Sequence, residues 1–317
     1  MRQITAILLG AGQRGEIYAD YGLAFPNELK IVGVAEPRAD RRALCAQKHH
    51  IAPENAVADW QELLARDKFA DSVFVCTQDR MHFEPVMQAL EKGYDVLCEK
   101  PLSYNREELI AMGEKAKETG RLLSICHVLR YSPFFVKLKE LLDAGTIGQL
   151  VNIQHIESVG YWHMAHSFVR GNWNKTEESC PMILAKCCHD MDILTWLAGS
   201  RCKTVSSMGA RSHFDEAHRP EGAPARCLDG CPHQESCPYY APRFYLEHPQ
   251  ASIGGFRKVV SLDTSNEAVL RELQTSPYGR CVYACDNDVV DNQLVNIAFE
   301  NGVHASLTMS AFTEHCE

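Results

Sequence analysis

The chain has 317 residues, 45% of them hydrophobic, and a formal net charge of −9. At roughly 100–200 residues per domain the length favours two domains, with ample apolar material for a core. The acidic balance without a basic tract argues against a nucleic-acid partner, and no run approaches the ~18 apolar residues of a membrane span.

Met1 and Arg2 lead directly into "QITAILLG", which reads as a strand rather than a signal peptide. Fourteen cysteines without such a segment point to a reducing cytoplasm, where clustered thiols are metal ligands or redox groups before they are disulfides. In chain order, residues 3–9 form a strand and 13–24 a helix. A second strand spans 29–36, followed by helical "RADRRALCAQKH". Residues 72–77 are a short buried strand before helical "FEPVMQALEKG". A fourth strand covers 94–101 and a fifth 121–127, separated by the helix "REELIAMGEKAKETG" with Asn105 and Glu108 at capping-box spacing. Cys76, Cys98 and Cys126 lie in apolar runs and read as core. This alternation predicts right-handed crossovers and a doubly wound parallel sheet, that is, an α/β Rossmann domain over residues 1–126.

The first turn carries the strongest signal. Gly10, Gly12 and Gly15 stand at G-x-G-x-x-G spacing after a strand and before a helix, with Gln13 and Arg14 between the last two glycines. Glu36 ends the second strand, 21 residues after Gly15. That is the context of a dinucleotide-binding fingerprint: backbone N–H groups meet a pyrophosphate at a helix N-terminus and the acid meets the ribose hydroxyls. The charge of Glu36 favours NAD over NADP, although Arg38 is close enough to blur the preference.

"CEKPLS" places Lys100 where the fourth strand meets its loop, on the side where open parallel sheets bind ligands. An ammonium there can hold the developing charge of a substrate oxygen. Glu99 could pair with it or cap the loop. Thr77 and His82 follow the third strand and are expected near the same cofactor.

GAGQRG, Glu36, "CTQDRMH" and "EKP", continued by "HVLRYSP" (127–133) and "CCHDMDILTWLAG" (187–199), together resemble the Gfo/Idh/MocA oxidoreductases. The resemblance covers nearly the whole chain. It implies NAD(P)-dependent oxidation of sugars, cyclitols or related polyols. It also implies a second α+β domain over 127–317, with a large, mainly antiparallel sheet that supports homo-oligomers. By position, Lys100 matches the family's catalytic lysine and His189 its candidate acid/base. "PMILAKCCHDMDILTWLAG" reads as one helix of up to five turns. Lys186 and His189 then share a face, Asp192 orients the imidazole, and Asp190 faces Lys186. Many members carry an Asp four residues before this His, where Ala185 stands here; Lys186 is the candidate replacement. Arg130 and Tyr131, with His155, Tyr161, Trp162 and His163, are candidates to line the substrate pocket, the aromatics by stacking on a sugar ring.

In "RPEGAPARCLDGCPHQESCPYYAPR" (219–243), Cys227, Cys231 and Cys237 stand at C-x3-C-x5-C spacing, and Cys281 and Cys285 follow. Four of these five thiolates could hold a structural zinc ion, with His233 another possible ligand; an iron–sulfur cluster uses the same ligand type. Residues 293–311 read as a hairpin with Asn301-Gly302 as a type I′ turn. Family members usually continue with more strands and a return helix, so a truncated or divergent copy is expected. Three functional readings stand: an NAD-dependent dehydrogenase of sugars or polyols, a glycosidase that cycles bound NAD, and a non-catalytic NAD-binding protein.

Overall fold

In the computed structural model, which describes residues 2–315, the apolar run Ile4–Leu9 is β1, and its residues Ala6 to Leu9 are fully buried. Next come α1 (Gln13–Ala24), β2 (Leu29–Ala35), α2 (Ala39–Lys48), β3 (Ala56–Val57) and α3 (Trp60–Leu64). The unit is completed by β4 (Ser72–Val75), α4 (Phe83–Glu91), β5 (Asp95–Cys98), α5 (Arg106–Thr119) and β6 (Leu123–Ile125). All strand pairs are parallel, in the order β3-β2-β1-β4-β5-β6. Successive residues of β1 enter opposite cores: Ile7 and Leu9 pack with Val73 and Leu90, Ala6 and Leu8 with Ile31 and Ala19. A strand buried on both faces reads as a continuous apolar run because helices cover both sides. Strand order reverses between β1 and β4, so the loops after these strands flank the point where such sheets bind ligands. The two-residue β3 carries no periodicity and was not foreseen. At α5, Asn105 accepts hydrogen bonds from the Glu107 and Glu108 N–H groups. Glu108 does not close a capping box; its carboxylate takes the Ser103 hydroxyl, which in turn accepts the Asn105 N–H.

Contacts divide the chain after Cys126. The second unit holds α6 (Pro133–Asp143), β7 (Asn152–Gly160), and α7 (Tyr161–His163) running into a π-helical stretch, Met164–Arg170. Then come α8 (Met182–Ala185), α9 (Cys188–Ala198), β8 (Cys202–Ala210), α10 (Ala241–Glu247), β9 (Asn292–Phe299) and β10 (His304–Thr313). The sheet order is β7-β10-β9-β8, antiparallel except for the β7–β10 pair. Its inner face packs Val159, Val295, Ile297, Leu307 and Met309 against Met182 and Leu194. Its outer face leaves Ile156, Met208 and Leu294 between 47% and 69% exposed.

Two expectations give way here. The single helix over 181–199 is two, α8 and α9, interrupted at Lys186 and Cys187. The hairpin joins β9 to β10 as expected, but only Gly302 has positive φ (+88°), so the turn is not type I′. The Phe299 N–H donates to the Val303 carbonyl and the Asn301 side chain accepts the Val303 N–H, which makes a three-residue loop with glycine at the left-handed position.

Candidate active site

The glycine loop after β1 is built by exclusion. A Cβ on Gly10, whose φ is +92°, would lie 2.4 Å from the Cys76 carbonyl oxygen; one on Gly15 would lie 2.0 Å from the Gly10 carbonyl oxygen. These two glycines let strand, loop and helix touch backbone to backbone. Gly12 differs: nothing of the protein comes within 4 Å of where its Cβ would stand. Gly12 also caps α1 without a side-chain bond, so the first N–H groups of the helix, at Gln13 and Arg14, open onto that space. This cradle fits a dinucleotide pyrophosphate, because the missing side chain admits the anion and the helix end favours its charge.

Glu36 closes the loop from beneath. It is buried, accepts the Ala11 N–H at 2.9 Å, and binds Arg38 through both the backbone N–H (3.1 Å) and the guanidinium (2.8 Å). Burial pushes its pKa up, but the Arg38 and Ala11 bonds outweigh it and hold the carboxyl below its ordinary value of 4.5. The unfolded chain therefore binds this proton more readily, and the stabilisation is present above about pH 4.5 and is lost as pH falls through the folded value. In urea titrations, Glu36→Gln should cost about 1.5–3 kcal/mol near neutrality. The gap to the wild type should shrink as pH falls below 4.5; a gap constant with pH would remove the carboxylate charge from the account.

The loop after β5 holds Glu99, Lys100 and a cis Lys100–Pro101 peptide. The Glu99 carboxylate caps the loop: it accepts the Lys100 backbone N–H at 2.8 Å and the Tyr18 hydroxyl, with the Arg14 guanidinium 3.9 Å away. Burial, then the Glu99 charge, push the Tyr18 phenol far above its usual range, so it stays a hydrogen-bond donor. Sequence reasoning missed Tyr18; its place two turns into α1 from the glycine loop carries no distinguishing motif. His82 is almost fully buried, with Nδ1 2.9 Å from the Pro101 carbonyl oxygen and Nε2 3.2 Å from that of Thr77. Its ring lies between the loops that follow β4 and β5, with one nitrogen against each loop's carbonyl. The Thr77 hydroxyl donates within its own turn to the Met81 carbonyl.

In the second unit the break before α9 redistributes the expected partners. Lys186 turns to Glu157 on β7 rather than to His189. Asp190 faces the Lys186 charge as expected and also accepts from His155 Nε2 at 2.6 Å. Burial would lower the Lys186 pKa, but Glu157 raises it overall. Desolvation raises that of Asp190 against the His155 bond. His155, Glu157 and Asp190 bring three ligand atoms within 4.8 Å of one another, yet the cluster already holds a cation, the Lys186 ammonium. Glu157 was missed; its signal is the period of two that sets His155 and Glu157 beside Ile153 and Val159 on the inner face of β7.

Asp192 is not the orienting acid of His189: both of its oxygens accept from Arg130, each at 2.7 Å, and Arg130 lies over the Trp196 ring. A bidentate pair of this kind fixes Arg130 as a structural clamp rather than a free substrate ligand. His189 sits in the first turn of α9, its ring edge-on to His127 at 6.0 Å. Tyr131 is 79% exposed. Trp162 is not available to stack on a sugar: it is buried between His163 and Phe244, meets Phe256 edge-on, and donates its indole N–H to the Glu314 carbonyl. Tyr161 joins the same core against Tyr239. Of the five candidate metal cysteines, Cys227, Cys231, Cys237 and Cys281 line one cavity with His233, whereas Cys285 donates to the Cys281 carbonyl instead.

Comparison with known proteins agrees with this layout. A family model described as "Oxidoreductase family, NAD-binding Rossmann fold" (GFO_IDH_MocA) matches residues 4–127, and one described as "Oxidoreductase family, C-terminal alpha/beta domain" matches 139–317. The chain is 24% identical over 294 residues to the oxidoreductase YteT of Bacillus subtilis, covering 90% of this chain and 66% of that protein. It is 27% identical over 214 residues to scyllo-inositol 2-dehydrogenase (NAD(+)) of the same organism, covering 65% and 57%. The chain thus spans less than two thirds of these relatives. Among solved structures, myo-inositol 2-dehydrogenase from Lactobacillus plantarum superposes with a TM-score of 0.66 at 15% identity, covering 98% of this chain and 71% of that one, a likeness of fold.

Proposed function

Because the chain belongs to the Gfo/Idh/MocA oxidoreductase family, we propose that it is an NAD-dependent dehydrogenase acting on a secondary hydroxyl of a sugar, cyclitol or related polyol. The observation that carries this reading is the cradle at Gly12, open on the helix N-terminus and backed by a buried, ionised Glu36. NAD bound there supplies the hydride-accepting ring. The residues proposed to hold it are Gly10, Gly12, Gln13, Arg14 and Gly15 at the pyrophosphate, Glu36 and Arg38 at the ribose, and Thr77, Glu99 and Lys100 at the strand ends. Arg38 already pairs with Glu36, which reduces its hold on a 2′-phosphate and supports NAD over NADP.

The first unit is the dinucleotide domain in this reading, the second the substrate domain. Lys100 donates to the reacting oxygen and stabilises its negative charge, and His189 accepts the hydroxyl proton. Lys186, anchored by Glu157, is assigned to substrate positioning beside the Ala185 position. Tyr131, His155 and His163 remain the proposed substrate contacts. The apolar outer face of the second sheet favours association of copies of the chain, and the expected compartment is the cytoplasm.

The test is formation of reduced nicotinamide with NAD and a panel of cyclitols, aldoses and glycosides. Turnover is expected on at least one, falling about 100- to 10,000-fold in His189→Asn. Tight NAD binding without turnover in either direction on the whole panel would sink the reading. Substrate consumption without net reduced nicotinamide would point to the redox-cycling glycosidase.

A further inference from the structure

We propose that Cys227, Cys231, Cys237 and Cys281, and not Cys285, form a structural zinc site in the second unit. The four sulfur-bearing residues come from separate turns and meet at one cavity of about 10 Å³. A short antiparallel bridge between Arg226 and Arg280 sets Cys227 beside Cys281. The Cys227 N–H donates to the Gly279 carbonyl and the Cys281 N–H to the Ala225 carbonyl, each at 2.9 Å. Cys237 is drawn in by a turn in which its N–H donates to the His233 carbonyl at 2.9 Å. A void of that size has room for one ion or one water, far less than an iron–sulfur cluster requires. His233 Nε2 lies 2.8 Å from the Glu221 carbonyl oxygen, which leaves the thiols as the ligand set.

A second observation points to negative charge at this place. Arg170, at the end of the π-helical stretch, is 3% exposed. Its guanidinium donates to the Arg280 and Tyr239 carbonyls, each at 2.7 Å, and to the Cys227 sulfur at 3.7 Å. Among the described residues no carboxylate pairs with it. A buried cation without a counter-charge is strongly unfavourable. A zinc tetrathiolate is a net dianion and supplies that charge, and the Ala241 N–H, 3.5 Å from the Cys227 sulfur, adds a second donor of the kind that supports metal-bound thiolates. The sulfurs stand wider than the ~3.8 Å edges set by Zn–S bonds of ~2.3 Å: no three of them lie mutually within 4.8 Å. Binding would release the thiol protons and pull residues 227–237 onto the 279–281 bridge. With all four coordination positions filled by sulfur, the ion has no place for substrate; its task is to fasten an irregular, proline-rich loop.

The test uses the intact chain, expressed with added zinc and purified under reducing conditions, with metal measured by mass spectrometry. About one zinc per chain is expected. Cys285→Ser should keep it, and Ser at position 227, 231, 237 or 281 should lose most of it. Should those four variants fail to fold, wild-type protein titrated with a mercurial must release zinc in step with thiol capture. Cobalt(II) exchanged into it must show an intense thiolate charge-transfer band. Zinc below about a tenth per chain would overturn the proposal. So would iron with inorganic sulfide, disulfides among these cysteines under reducing purification, or equal loss in Cys285→Ser.

Discussion

Replacing Lys100 by Met lowers kcat by about 100- to 10,000-fold, far more than it weakens NAD affinity read by calorimetry. The expectation rests on where the backbone delivers this residue. β5 ends at Cys98, and the Glu99 carboxylate, itself fixed by the Tyr18 hydroxyl, accepts the Lys100 N–H. The side chain therefore leaves a loop that is held at its base, beyond the carboxyl ends of the parallel strands. Methionine keeps most of the length and apolar stem and removes the charge, so what is lost is the cation that meets a developing alkoxide. An interaction made only in the transition state lowers kcat and kcat/KM together and leaves KM unchanged. Activity within a few-fold of wild type would take Lys100 out of the mechanism.

Gly15→Ala destabilises the fold by about 1–3 kcal/mol or more, whereas Gly12→Ala leaves the urea midpoint unchanged and weakens NAD binding instead. The two glycines are three residues apart in one motif, yet they answer to different constraints. An alanine Cβ at position 15 would sit 2.0 Å from the Gly10 carbonyl oxygen and 3.2 Å from Leu8 Cδ1; the first is backbone, so relief requires lifting α1 from the loop after β1. At position 12 the backbone is extended (φ −74°, ψ −173°), acceptable to alanine, and no protein atom is within 4 Å of the new methyl. The methyl would stand where the pyrophosphate must approach. Equal stability losses, or unimpaired NAD binding in Gly12→Ala, would contradict the assignment of the cradle.

The first unit was readable because its signals are local. Apolar runs of strand length, helices of the right span, three glycines and an acid at fixed offsets define β1, α1 and β2 without long-range information. The same locality explains the failures. No glycine or proline marks the break at Lys186 and Cys187; it coincides with Lys186 turning toward Glu157, 29 residues earlier in the chain. Arg130 and Asp192 are 62 residues apart, and nothing near either one announces a bidentate pair. Trp162 in a stretch rich in aromatics and histidines looked like a sugar platform. Only the later segments that bring Phe244 and Phe256 against it show that it is core. The cysteine spacing was visible, but choosing four sulfurs from five needed the cavity that Cys285 does not line.

The His82 ring has a mechanical consequence. Wedged between the Thr77 and Pro101 carbonyls, donating to one and packed against the other, and sealed from water, it turns the two strand-end loops into a single stiff sill under the proposed nicotinamide position. Displacing either loop strains the other, so alterations made to tune one rim propagate to its neighbour. Variants of the Thr77 and Lys100 loops are therefore best engineered as a pair.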